Sequence, residues 1–273
     1  MIRRLTSFLL IAILPAHTAS GQGRSAVLGE RQEFAEWIRA SLVSPLRAVA
    51  VRPIGPELSL GPSSAEVPLS GVEPSRFIQE GGRVRLLSSR GSQPVVRGRP
   101  MRLGARWLLV VNGQSGRVWV TVFDSTVSAE KQPDWFGYDS TMRLIVTLNP
   151  AHLEPVRLLG LDGVEIEATE AGTVTVQAGG KASPLRVFRT PGSTEEETEL
   201  EIYFRDATSG HQSYSSGRFV SLIPMGGDRF LLDFNRARNP FCAYNTVYPC
   251  PAPWRGNVLD FPVRAGEKYH PAQ

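Results

Sequence analysis

Cysteine and histidine are scarce, at two and four among 273 residues. A zinc centre needs three or four N, S or O ligands, so no cysteine- or histidine-rich metal site is expected. The sequence has no H-E-x-x-H, no G-x-S-x-G and no glycine-rich phosphate loop. That removes the zinc-protease, nucleophile-elbow and P-loop chemistries, and no cofactor is called for. Long low-complexity linkers and repeats of fixed period are also missing, and helical periodicity is almost absent. Glycine and proline are plentiful instead, at 26 and 21, which points to an all-β chain rich in turns.

Long apolar runs are confined to the N-terminus. Arg3 and Arg4 precede Leu5–Ala16, LTSFLLIAILPA, and small residues follow to Gly21. This is the layout of a secretory signal peptide over residues 1–21, with cleavage near Ala19–Gly21. The run is short for a membrane span, so no stable span is expected after cleavage. Export to the periplasm or the extracellular space follows. Residues 22–30 read as a flexible leader.

Of the thirty basic residues only three are lysine, and the net charge is +4. Between Arg76 and Arg117 lie nine arginines and one acid, Glu80. Such a stretch attracts anions, but these arginines alternate with apolar residues as on the wet side of strands. The solvated-face reading is therefore preferred, and nucleic acid is not expected as a partner.

The segment RQEFAEWIRASLV, Arg31–Val43, sets Phe34, Trp37, Ile38 and Leu42 on one face and predicts one short helix. From there to residue 270 the period is two. Arg83–Leu87 alternates; Arg106–Val111 and Arg117–Phe123 flank NGQSG as a hairpin; Met142–Leu148 is a strand. Val164–Ala178 reads as a second hairpin turning at its glycine. Glu199–Arg205, Arg218–Pro224 and Arg229–Asn235 form a meander, and Val258–Arg264 a last edge strand. Antiparallel sheets closing into a barrel, or stacked as a sandwich, are the expected architecture. The polar stretch Pro191–Glu199 marks a possible division into two sub-units.

Three stretches then stand out: YFRDATSGHQSYSSGRF, LDFNRARNPFCAYNTVYPCPAPWRGNVL and RAGEK. In this order and spacing they resemble domain-of-unknown-function family 1684, a bacterial and archaeal family. The resemblance is densest over Leu200–Lys268 and implies very little about activity. Gly256 stands where the family pattern has an acid, Val258 where it has arginine, and Phe241 where it has proline.

Cys242 and Cys250 close a small loop between prolines. In an oxidising compartment a disulfide there stabilises by roughly 2.5 kcal/mol; two buried thiols are the alternative. Near this loop in sequence are Arg205, Asp206, Thr208, His211, Tyr214, Arg218, Asp233, Asn235, Arg236, Asn239, Asn257 and Glu267. Three readings compete. These groups satisfy an irregular backbone; or they line a ligand site. In the second case Arg205, Arg218 and Arg236 select a small anion, and Tyr214, Tyr244, Tyr248 and Trp254 give flat contacts. The third is a hydrolase-like enzyme with His211 and Asp206 or Asp233 as base and orienter, and Cys242 as nucleophile.

Overall fold

The computed structural model describes residues 17–114, 117–151, 155–178, 180–191, 198–250 and 256–270. Most of the expected signal peptide, and Trp254, lie outside the described residues. No helix among those described is long and apolar enough to cross a membrane.

The chain opens with helix α1 (His17–Ala40). It starts well before the expected Arg31 and takes in residues 22–30, where a flexible leader was expected. Tertiary packing accounts for the extra turns, because Val27 is 1% exposed. Phe34 and Ile38 are buried against Ala243 and Tyr244, whereas Leu42 lies beyond the helix and is exposed. The Ser44 hydroxyl donates to the Ile38 carbonyl (2.5 Å) and closes the helix end.

Two sheets follow. Strands β1 (Ala48–Ile54), β2 (Glu57–Gly61), β3 (Val67–Pro68), β4 (Ser75–Glu80), β5 (Arg83–Ser88) and β6 (Gly91–Pro94) come first. Then come β7 (Met101–Leu103), β8 (Trp107–Gln114) and β9 (Arg117–Asp124). One sheet has the order β1-β9-β8-β7, the other β3-β2-β4-β5-β6. They enclose a shared core that includes Phe77, Leu86, Leu109, Val111, Val120 and Val122. The expected hairpin is β8–β9, in register from Trp107↔Asp124 to Gln114↔Arg117. The apolar run WLLVV has a reason: Leu109 and Val111 face this core, while Leu108 and Val110 face a second cluster on the opposite side. A sheet buried on both faces needs apolar residues at consecutive positions.

Strands β10 (Arg143–Thr147), β11 (Asn149–Pro150), β12 (Pro155–Leu159) and β13 (Glu165–Ala178) open the other half. Strands β14 (Lys181–Pro191), β15 (Thr198–Phe204), β16 (Arg218–Gly226) and β17 (Arg229–Asp233) complete it. Their order, β10-β17-β16-β15-β14-β13-β11, makes a nearly closed antiparallel barrel-like sheet. Closure comes from the chain passing out of β10, which pairs β17, into β11, which pairs β13. The interior holds Val174, Leu185, Ile202, Phe204, Val220, Leu232 and Phe234.

Two strand expectations change. Val164–Ala178 is one long strand, not a hairpin. Gly172, at φ +147°, closes a β-bulge between Glu170 and itself, and a Cβ there would collide with the Asn149 carbonyl. The glycine thus serves close approach of β11 instead of a turn. Val258–Arg264 forms no strand, only an isolated bridge from Val258 to Arg205. Its Leu259 N–H and Phe261 carbonyl bond the backbone of Arg205 and Ala207, and the side chains of Asp206 and Arg218 take up the Val263 N–H and carbonyl. Strands β14 and β15 pair with each other across the Pro191–Glu199 stretch, so both sides of it belong to one sheet. The change from sandwich to barrel falls instead at residues 125–142.

Candidate functional site

The loop after β15 is wired by its own side chains. Asp206 Oδ1 accepts the Thr208 N–H (2.6 Å), and the Thr208 carbonyl accepts N–H groups of His211, Gln212 and Ser213. The Thr208 and Ser213 hydroxyls meet at 2.8 Å. Short polar side chains bonding nearby backbone are what holds such a bend. Asp206 Oδ2 receives Arg218 Nη2 at 2.6 Å, with both side chains 0% exposed. Arg218 also donates to the carbonyls of Val263 (2.8 Å), Ala265 (2.5 Å) and Glu267 (3.2 Å). One guanidinium thus binds the chain's tail to the base of the β15–β16 hairpin. Its planar fork reaches several acceptors at once, which an ammonium cannot match.

The end of β17 is a second knot. Asp233 Oδ1 accepts the Asn235 N–H (3.1 Å) and Nδ2 (2.9 Å). The Asn235 amide pairs both ways with the Asp139 backbone, at 2.9 and 2.7 Å. The Asn235 main-chain carbonyl receives Arg31 Nη2 (2.8 Å), and Arg31 Nη1 donates to the Phe136 carbonyl (2.9 Å). Arg236 pairs with Glu30 at 2.6 Å. Helix α1 is therefore docked by polar contacts more than 200 positions distant in sequence. Asn257, 0% exposed, bridges β14 and β15 through the Arg186 backbone and the Tyr203 carbonyl.

The third cluster differs because it faces open space. A cleft of about 180 Å³ lies between residues 131–134, Asn239, Ala243, Tyr244 and the tail 267–270. Glu267, 2% exposed, accepts the Asn239 N–H (2.9 Å) and the Tyr244 hydroxyl. Burial pushes its carboxyl up to about 7, against the opposing pull of those hydrogen bonds. Asn239 Nδ2 donates to the Lys268 carbonyl (2.9 Å), but its Oδ1 is buried without a partner. Lys131 Nζ donates to the Ala243 carbonyl (2.7 Å) and lies 5.7 and 5.1 Å from the Tyr244 and Tyr269 rings. Burial lowers its pKa, and Glu267 partly offsets this. Asp134 is held by His270 Nε2 (3.0 Å) and lies 3.7 Å from Lys268.

The cysteine loop forms one wall. Cys242 and Cys250 lie at disulfide distance, with Cα atoms 5.5 Å apart. Cys242 and Tyr248 pack on Val51, Leu108, Val110 and Phe123, so the loop wedges against the sandwich's outer face. Ala243 and Tyr244 turn toward helix α1. The Tyr214 hydroxyl sits 3.2 Å from Cys250 Sγ and its ring meets Tyr269 edge-on at 4.7 Å. Among the described residues there is no group of acids, histidines or cysteines able to hold a metal.

A family model described as "Protein of unknown function (DUF1684)" matches residues 131–268. The chain belongs to the DUF1684 family. It is also similar to an uncharacterised protein of Haloarcula marismortui solved by solution NMR. The identity is 34%, over 50% of this chain and 76% of that one, with a TM-score of 0.44. No curated protein matches the chain. The DUF1684 region begins at the cleft's Lys131 and ends at its Lys268. Two departures from the family pattern, Gly256 and Val258, are exposed and flank the buried Asn257, whose clamp is intact. Phe241 packs on the Trp37 and Tyr248 rings.

The twelve residues singled out from sequence thus divide. Asp206, Thr208, Arg218, Asp233, Asn235, Arg236 and Asn257 are bound to protein groups. Asn239 and Glu267 join Tyr244 at the cleft. Arg205 and His211 are exposed, and Tyr214 stands beside Tyr269. Sequence reading missed Arg31, Lys131, Asp134 and Asp139. The only local sign was DWF (Asp134–Phe136), two large aromatics after Lys131-Gln-Pro; it pairs with the tail through Trp135↔Glu267.

Proposed function

We propose that the protein is an exported, non-catalytic binding domain whose ligand enters the cleft beside the cysteine loop. Support for export is the charged, apolar N-terminal run together with the cysteine pair. The observation that carries the binding site is the Asn239 carbonyl oxygen, buried and unpartnered in the cleft wall beside the Glu267 carboxyl. A buried acceptor without a partner costs about 1–3 kcal/mol, so a fold keeps one where something else satisfies it. The cleft's acceptors are Asn239 Oδ1, Glu267 and the Asp134 carboxylate, beside two tyrosine ring faces. Lys131, Lys268 and His270 also line the cleft, but Lys131 is spent on the Ala243 carbonyl and the other two on Asp134, which leaves Asn239 Oδ1 as the unmet group. The cleft's ligand is therefore a small molecule rich in N–H or O–H donors, such as an amine or a polyol. Two of the three arginines that favoured an anion have other work here, and the third, Arg205, is exposed and does not line the cleft. Arg218 is sealed from solvent and Arg236 is engaged by Glu30.

The hydrolase alternative has less behind it. Asp206 is bound to Arg218, Asp233 lies between Arg143 and Arg236, and His211 is exposed with no carboxylate partner among the described residues. The test is an NMR titration of the mature protein with amines, polyols and amides. At least one should shift the Asn239 and Tyr244 resonances saturably, and Tyr244→Phe should weaken it. Silence of both residues across the panel contradicts the proposal.

A further inference from the structure

The arginine-rich stretch has its own cleft, about 450 Å³, at one end of the sandwich. Its walls are the loop before β4, the β5–β6 hairpin and the turn after β7, and Arg90 and Arg102 both line it. Arg90 has no side-chain partner among the described residues. Arg102 commits only Nη1, to the Ala105 carbonyl at 2.9 Å. The hydroxyls are poised to donate. Ser92 Oγ already accepts Arg85 Nε (2.7 Å), and Ser88 Oγ accepts the Arg90 N–H (3.2 Å). A hydroxyl that accepts from one group has its own proton left to give. Against the one acid of the lining, Glu73, which receives the Ser89 hydroxyl on one oxygen, stand two arginines. No aromatic ring lines the cleft, so it offers no stacking surface to a base or a sugar.

We propose that this cleft is an oxyanion site, taking a phosphate or sulfate group between Arg90, Arg102, Ser88 and Ser92. Arginine forks match such groups by paired charge-assisted hydrogen bonds, and the surrounding arginines raise the local anion concentration. The site shares no lining residue with the barrel cleft.

An NMR titration of the full protein at low salt, with inorganic phosphate and with glycerol 1-phosphate as separate probes, tests this. Amides of residues 88–93 should shift saturably. Arg90→Ala and Arg102→Ala should each weaken binding by about tenfold or more. Arg83→Ala removes the same charge from the same sheet outside the cleft, and should change affinity less than twofold. Tighter binding of the ester upholds the site and assigns the anion to a larger molecule; tighter inorganic phosphate upholds it as a free-anion site. Absence of saturable shifts, or an equal loss in Arg83→Ala, overturns it. Unchanged melting of the variants keeps the comparison valid, since all three arginines are exposed.

Discussion

The sandwich and the barrel solve the same problem, closing antiparallel sheets over a core, by different means. In the sandwich, apolar packing supplies almost everything: Phe77 and Leu86 alternate with wetter neighbours, and Leu109 and Val120 lie in a sheet buried on both faces. At the barrel rim the hydrophobic core ends, and the tail, the linking segment and helix α1 are fastened by buried polar groups. Apolar packing is nondirectional and tolerates approximate fit; a buried ion pair with fixed acceptors fixes one arrangement. The rim is therefore more specific than the sandwich and more easily broken by a single change.

Removing the Arg218 side chain should sharpen this contrast most. Arg218→Ala strands Asp206 as an unpaired buried charge and frees three carbonyls, at an expected cost of about 3–5 kcal/mol. Urea unfolding measures it, and Asp206→Ala should cost a similar amount. Next is pH. The Glu267 carboxyl is raised from 4.5 to about 7 by burial. Its stabilising contribution is therefore complete below about pH 4.5 and is lost as pH rises through 7, a change of roughly 3 kcal/mol. Arg218, Arg238, Lys131 and Tyr244 all face this group, and it stays raised among them. Glu267→Gln should flatten that part of the stability–pH curve, read from melts across pH 5–8.

Gly266 gives a somewhat smaller break. It sits at φ +78°, and a Cβ would lie 2.7 Å from the carbonyls of both Phe234 and Ala237. Gly266→Ala should destabilise by about 2 kcal/mol and speed amide exchange in the tail before the sandwich is touched. The smallest effect belongs to the sandwich's own ion pair. Arg106 holds the Asp124 carboxyl well below the usual carboxylate range, but the arginine is half exposed. Arg106→Ala should move the melting temperature little at pH 7. Its influence should shrink further as pH falls and Asp124 is protonated.

What sequence revealed follows the same division. The β8–β9 hairpin, the meander to Asp233 and the burial of Ile202, Phe204, Leu232 and Phe234 were legible from period two. So was the pairing of Cys242 with Cys250, the only two cysteines of the chain. The bulge at Gly172 was misread because a glycine in a strand signals turn, bulge or close approach alike. Helix α1 was drawn too short, since local periodicity does not report the packing of Val27 or the contacts of Glu30 and Arg31. Within the candidate site Asn239 and Glu267 were found, but their neighbours Lys131 and Asp134 were not. Contacts such as Arg31 to Asn235 join residues 204 positions apart, and no local pattern encodes them.

At the wall of the open cleft, Glu267 is buried enough for its carboxyl to be pushed up to about 7. A ¹³C-detected NMR titration of the Glu267 side chain in the intact protein reads this directly. A midpoint near 7, moving when a donor-bearing ligand is added, is the predicted result. An ordinary midpoint near 4.5 means a solvated carboxylate and contradicts a buried Glu267 in the cleft wall.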